Sequence, residues 1–293
     1  MTAPVVVLGD VMLDVLAELS GPLQLGSDMP APIHFHGGGS AANTAAWLAQ
    51  SGIPSALVAR VGDDVAARSA LAGLRELGVE LVVSTDHERP TGTCLVIVHG
   101  TERTMIPSTG ANAALTPDDL PDLAAARHLH VSGYSLFTGA RSAALAAIAA
   151  ARAAAVPISV GAASAGPLQE WGAEAFFDAV GPGVLLFANG HEAAMLSGRK
   201  DPAEAARVIA GRTGEAVVTD GSDGAYWSDG TTLVFAETFP LDTPNPVGAG
   251  DAAAAGFLAA RLAGGRPSAS LAEAHRLGAE ACLRPDGRPP YRA

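Results

Sequence analysis

The apolar positions fall into two kinds of run along the chain. Short apolar runs lie at 5–9 and 184–187, and short runs carrying isolated polar residues lie at 56–61, 129–132, 157–160 and 216–219. That pattern predicts strands covered on both faces. Between them lie Ala- and Leu-rich stretches with helical spacing at 40–50, 63–77, 140–154, 167–177, 202–212, 251–262 and 268–283. Gly52 and Gly78 stop the first two, and Ser40 is the expected N-cap of the first. Strand and helix alternate, which predicts an α/β fold: a central, mostly parallel sheet with helices on both faces. Two stretches break the alternation. Residues 16–36, with Gly21, Pro22, Gly26, Pro30 and Pro32, read as a loop or a small antiparallel piece. Residues 91–98 and 103–107 read as a hairpin turning near Gly100. Both are expected outside the main sheet, as a β lid over its C-terminal edge formed by about 15–36 and 91–107.

Composition narrows the partners. Apolar residues make up 48% of the 293, enough for a sizeable core. The net charge is −12 and Lys200 is the only lysine. Nucleic acid and an anionic membrane surface are therefore not the expected partners. Any phosphate chemistry has to rest on backbone amides, arginine and a metal. Cys94 and Cys282 lie far apart, without metal-type spacing, which suits a reducing cytoplasm. No signal peptide or membrane span is legible.

Chemistry concentrates where glycines precede helices. Asn245-Pro246-Val247-Gly248-Ala249-Gly250-Asp251 opens the helix at 251–262. The amides of Gly248, Ala249 and Gly250 lie before the first helical hydrogen bonds and, with the helix dipole, seat an anion. A carboxylate on a phosphate seat makes sense if Asp251 takes a proton from a hydroxyl attacking that phosphate. The bland alternative is an ordinary first-turn aspartate. Gly37-Gly38-Gly39 with Asn43 suits a polyhydroxylated ligand, and Asp14 could accept from vicinal hydroxyls. Asn189 and Glu192 share a helix face and could organise magnesium, although the pair alone reads as a capping box. Thr219, Gly221 and Gly224 form a strand end and glycine turn, a candidate nucleotide loop. His34-x-His36 and His128-x-His130 read as strand or loop residues. A Gly-x-Gly-x-x-Ala match at 248–253 is a weak dinucleotide signal, because little chain follows it.

In order, these motifs resemble the ribokinase or PfkB-type carbohydrate kinase family over nearly the whole chain. The resemblance runs from Gly9-Asp10-x-x-x-Asp14 through Gly37-Gly38-Gly39-x-x-x-Asn43, Arg60-Val61-Gly62-Asp63-Asp64 and Pro90-Thr91-Gly92. It continues with Asn189-x-x-Glu192 and Thr219-x-Gly221-x-x-Gly224, and ends in Gly248-Ala249-Gly250-Asp251. It implies one ribokinase-like domain over 1–293 that phosphorylates a sugar or nucleoside hydroxyl with ATP and Mg2+. Asp251 would be the base and the amides of 248–250 the anion hole. Asp14, Gly38, Gly39 and Asn43 would bind substrate. Asn189, Thr219, Gly221 and Gly224 would line the nucleotide, and Glu192 with Asn189 would organise the metal.

Three departures qualify that expectation. Cation-activated members usually carry Asp where Asn245 stands, which leaves a monovalent cation open. Phosphosugar kinases usually carry a lysine that the segment 37–43 lacks. An unphosphorylated acceptor is therefore expected, and a substrate phosphate would depend on Arg103 of the lid. Gly161-Ala162-Ala163 stands where an acidic pattern is usual and would reshape the pocket. The reading is a cytoplasmic sugar kinase that could pair as a homodimer through exposed lid strands. A nucleoside kinase, or a weakly catalytic sugar-binding regulator, is the alternative.

Overall fold

Strand β1 (Val5–Leu8) is buried along its whole length inside a large sheet. The computed structural model describes residues 3–100, 102–238, 241, 247–284 and 286–290. After β1 the chain leaves the sheet to form β2 (Met12–Leu19) and β3 (Ile33–Gly38), an antiparallel pair. Helix α1 (Ser40–Gln50) brings it back to β4 (Ser55–Gly62), followed by α2 (Val65–Glu76) and β5 (Glu80–Asp86). A second excursion forms β6 (Gly92–His99) and β7 (Glu102–Ser108). Alternation resumes with β8 (His128–Val131), α3 (Arg141–Ala153), β9 (Ile158–Gly161), α4 (Ala165–Trp171) and α5 (Ala173–Val180). Then come β10 (Val184–Asn189), α6 (Gly190–Ser197), α7 (Pro202–Thr213) and β11 (Gly214–Thr219). Strands β12 (Ala225–Ser228) and β13 (Leu233–Ala236) precede α8 (Ala249–Leu262) and α9 (Pro267–Cys282).

The large sheet has the order β13-β12-β11-β10-β9-β8-β1-β4-β5, parallel from β11 to β5. The antiparallel pair β12–β13 extends one edge. Period-two alternation sends side chains of the parallel strands to two separate cores. Val6, Leu8, Leu129 and Val131 pack with α3, α5, α6 and α7, whereas Val5, Val7, Leu185 and Phe187 pack with α1, α2, α8 and α9. Two apolar faces explain why β1 and β10 read as nearly unbroken hydrophobic runs. A second sheet, ordered β3-β2-β6-β7, stands apart from the first.

Several elements differ from expectation. The stretch 16–36 joins the end of one strand to the start of the next through a loop at 20–32, and its sheet begins earlier, at Met12. Strand β5 is an edge strand of mixed burial, and β12 and β13 are short, so none of the three stands out as an apolar run. The helix expected over 167–177 is broken at Gly172, whose φ of 87° separates α4 from α5. No helix among the described residues is long and apolar enough to cross a membrane.

One polar strip interrupts the core behind α1 and α8. His128 and His130 share a face of β8, opposite Leu129 and Val131, and both bond the buried Ser159 hydroxyl, at 2.8 and 2.9 Å. Burial pushes His128 down to about 4 and His130, with His128 beside it, to about 3. Both folded values lie below the ordinary 6.5. The neutral pair therefore contributes its full stability above about pH 6.5 and loses it as the pH falls toward 4 and 3. Between pH 7 and 5, urea unfolding is expected to show a loss of about 2 kcal/mol per histidine. The double variant His128→Gln/His130→Gln should lack that loss; an equal loss in both proteins would contradict the assignment.

Candidate active site

Three glycines lead into α1, and each leaves room for a polar group of the protein itself. A Cβ on Gly37 would strike the Arg288 guanidinium, one on Gly38 the Asp14 carboxylate, and one on Gly39 the main chain of Asp10. Gly39 also has φ +97°, a conformation that suits glycine. It, not Ser40, is the N-cap of α1. With no side chain there, the cap comes from Asp10. Its Oδ2 accepts from the Ser40 amide at 2.9 Å, and its Oδ1 accepts from the Ser132 hydroxyl at 2.9 Å. An acidic group at a helix N-terminus is well placed against the dipole.

That arrangement frees the Ser40 hydroxyl to reach across to α8. It donates to Asp251 Oδ1 at 2.7 Å, while Asn43 Nδ2 donates to Asp251 Oδ2 at 2.9 Å. Gly248, at φ +73°, caps α8 and packs directly on the main chain of Gly287, where no Cβ would fit. Gly250 has open space where a side chain would stand. The first amides of α8 have no partner within the helix, so they and the dipole are suited to an anion beside Asp251.

Both helix starts open on a cavity of about 690 Å³. Four carboxylates line it, those of Asp10, Asp14, Glu192 and Asp251, and among the described residues no lysine or arginine does. Burial raises Asp251 to about 7; the Asn43 and Ser40 hydrogen bonds oppose the rise, and the charges of Asp10 and Glu192 add to it. Two charge-assisted hydrogen bonds, each worth roughly 1.5–3 kcal/mol, do not offset the desolvation. Asp14, on β2, is raised to about 6, again by burial first, with the Arg288 charge opposing.

Asn189 and Glu192 form a complete capping box at the start of α6. The Glu192 amide donates to Asn189 Oδ1 at 2.9 Å and the Asn189 amide donates to Glu192 Oε2 at 3.0 Å. Asn189 Nδ2 adds a bond to Glu192 Oε1 at 2.7 Å. The bland reading of this pair is thus realised, yet both side chains also line the cavity. Burial raises Glu192 despite the Asn189 bonds. Thr219 lines the cavity from the end of β11. Gly221 and Gly224 lie outside the lining, and a Cβ on Gly224 would strike Ala236 and Phe235 of β13. Gly38 and Ala249 stand just behind the lining, next to Gly39 and between Gly248 and Gly250. Arg103 shares a face of β7 with Met105 and Pro107, which line the cavity, but lies two positions further out. Gly161 lines the cavity without a neighbour near its missing Cβ, so the site is wider there. Asn245 and Pro246 lie outside the described residues. Among those described, no group of three or more His, Cys, Asp or Glu side chains is arranged to hold a metal.

Sequence reasoning missed three residues here. Asn112 is buried and clamps both main-chain groups of Val11, each at 2.9 Å, where the chain passes from β1 to β2. Tyr134 lines the cavity near Asp10, Asp251 and Glu192, which with burial raise its phenol. Arg288 donates from Nε to Asn43 Oδ1 at 3.2 Å and from Nη2 to the Gly38 carbonyl at 2.6 Å. Val11 lies 101 residues from Asn112, Asp251 117 from Tyr134 and Asn43 245 from Arg288, separations beyond any local pattern.

The profile of the pfkB family carbohydrate kinases matches residues 2–292. The chain belongs to the pfkB family of carbohydrate kinases. A curated relative, the ATP-dependent ribose-1-phosphate kinase of Halopiger xanaduensis, is 30% identical over 277 residues, covering 91% of this chain and 86% of its own. In fold, this pfkB-family chain is similar to the adenosine kinase of Sinorhizobium meliloti, with a TM-score of 0.88, 24% identity, and coverage of 99% and 96%. A ribokinase II-type protein from E. coli, solved with ATP and Mg2+, gives a TM-score of 0.86 at 23% identity, with coverage of 97% and 94%. The fold is ribokinase-like, and the family's enzymes are phosphotransferases with an alcohol acceptor.

As a proton acceptor Asp251 would have to be ionised, and turnover would then fall as the pH drops through about 7. Asn43→Ala removes one donor from the carboxylate and raises its pKa further. The acid limb of the pH–activity profile should then move up by about one pH unit, equivalent to about 1.4 kcal/mol. A limb at the same pH in both proteins would contradict this role for Asn43.

Proposed function

We propose that this pfkB-family enzyme transfers the γ-phosphoryl group of ATP to a hydroxyl of an unphosphorylated sugar or sugar derivative, with Asp251 as general base. The supporting observation is the placement of Asp251: a carboxylate raised to about 7, beside unpartnered helix amides, on a cavity whose described lining holds no lysine or arginine. Asp251 takes the proton as the acceptor oxygen bonds to the γ-phosphorus. The bond from that phosphorus to the bridging oxygen breaks, and ADP leaves. The amides of Gly248, Ala249 and Gly250 stabilise the developing charge.

Asp14, Gly38, Gly39 and Asn43 hold the acceptor. Asn43 keeps one Nδ2 proton for it after bonding Asp251. Arg103 extends this set from the small sheet, which serves as a lid: Met12, Cys94, Met105 and Pro107 line the cavity from that side. Apart from Arg103, a phosphorylated acceptor would meet carboxylates rather than cations along the described lining. Asn189 and Thr219 face the nucleotide, with Gly221 and Gly224 shaping the turn behind. Glu192 suits Mg2+: its carboxylate lines the cavity and keeps lone pairs beyond the capping box, and Mg2+ retains several waters. Magnesium, held by Glu192 and Asn189, would neutralise phosphate charge. A nucleoside acceptor is the second reading, favoured by the apolar wall of Met12, Cys94, Met105 and Pro107. Cys94 and Cys282 form no disulfide with one another, in keeping with a cytoplasmic setting.

The outer face of the small sheet exposes Ile33, Phe35, Leu95 and Ile106, Phe35 at 62%. A second copy of the chain is proposed to cover it.

In a coupled ATP-turnover screen of free sugars, sugar acids, sugar phosphates and nucleosides, uncharged acceptors are expected to be the productive ones. Asp251→Asn should lower kcat at least 100-fold with acceptor binding little changed. Near-normal kcat would remove Asp251 as base, and no turnover with any acceptor would favour the regulator. Sedimentation should show a dimer that Phe35→Glu dissociates; a monomeric parent protein would rule out the pairing.

A further inference from the structure

The segment that follows α9 reaches back under the substrate side of the site. The Trp47 indole donates to the Gly287 carbonyl at 2.9 Å, Gly287 packs on Gly248, and Asp286 lies 3.6 Å from His36 of β3. Arg288 follows and is 3% exposed. Three of its N–H groups go to oxygens of different elements: Asn43 Oδ1 on α1, the Gly38 carbonyl on β3, and the Ala70 carbonyl on α2, the last at 2.6 Å. Only Ala70 lies outside the site.

We propose that Arg288 is a positioning residue for phosphoryl transfer: it fixes the Asn43 carboxamide, and through it the Asp251 carboxylate. This rests on the reading of Asp251 as base. A carboxamide has an accepting end and a donating end, and its rotation exchanges them. Arg288 can only donate, so it holds Oδ1 toward itself and turns Nδ2 toward Asp251. Without it, Asn43 is free to turn its oxygen toward a carboxylate already crowded by Asp10 of the β1–β2 turn and Glu192 of α6. The same guanidinium is the charge that opposes ionisation loss at Asp14, which is also faced by Asp10, His36 and Asp286. One buried cation therefore keeps both carboxylates of the acceptor side in their working form. The Gly38 bond serves the same end by fixing the strand end on which Asp14 packs.

The test uses full-length protein with 15N-labelled asparagine, the Asn43 side-chain signal being identified by its absence in Asn43→Ser. Arg288→Met and Arg288→Lys are compared with the parent protein at matched thermal stability. Exchange of the Asn43 Nδ2 protons is expected to be at least tenfold faster in Arg288→Met and intermediate in Arg288→Lys. The acid limb of ATP turnover, with D-ribose and adenosine as acceptors, should move to higher pH in the same order. Unchanged exchange in a folded Arg288→Met protein overturns the proposal. Failure of both variants to fold also overturns it, by assigning Arg288 to the fold alone. Asp251→Asn, run alongside, separates the two ideas: if it keeps its turnover the base reading fails, whereas the exchange result still reports on Arg288 and Asn43.

Discussion

The site depends on two helix N-termini meeting over the C-terminal edge of the sheet. Asp251 at the start of α8 is held by Ser40 and Asn43 of α1, more than 200 residues earlier in the chain. Each helix start leaves amides without helical partners, and the two are satisfied differently. At α1 the carboxylate of Asp10 supplies the cap bond that Gly39, without a side chain, does not. At α8 the carboxylate belongs to the first turn itself but is turned toward α1, which leaves the amides behind it for an anion. The same physics gives one closed end and one open end, and the open end is the proposed phosphate seat.

Glycine makes this meeting possible by removing side chains from places that charged groups need. Gly37, Gly38 and Gly39 give way to Arg288, Asp14 and Asp10, and Gly248 gives way to Gly287. A glycine run of this kind reads most naturally as a backbone kept clear for a ligand. Here Gly37 and Gly38 keep the backbone clear for the side chains of Arg288 and Asp14. Burial of those side chains then sets their chemistry. Desolvation outweighs the hydrogen bonds at Asp251 and the Arg288 charge at Asp14, so both carboxyls titrate near neutrality.

Local pattern carried much of this into view. The unbroken runs at 5–9 and 184–187 mark strands between two cores, and Gly248-Ala249-Gly250-Asp251 marks a helix start with an acid in its first turn. Periodicity failed where burial is one-sided or elements are short, as in β5, β12 and β13, and at Gly172, where one glycine divides a helical stretch. In the site, Asp251, Asn43 and Asp14 announced themselves by motif. Asn112, Tyr134 and Arg288 did not, because each acts on a partner brought near only by the fold. The Asn189–Glu192 pair shows a different limit: a capping box and a cavity wall are made of the same two side chains, and spacing alone does not separate the roles.

The central claim is that the meeting of α1 and α8 leaves Asp251 half-ionised near neutral pH. A 13C titration of the aspartate side-chain carboxyls measures this directly, with the Asp251 signal identified by its loss in Asp251→Asn. A midpoint near 7 is the expected result. A midpoint near the ordinary aspartate value of about 4 would contradict the account.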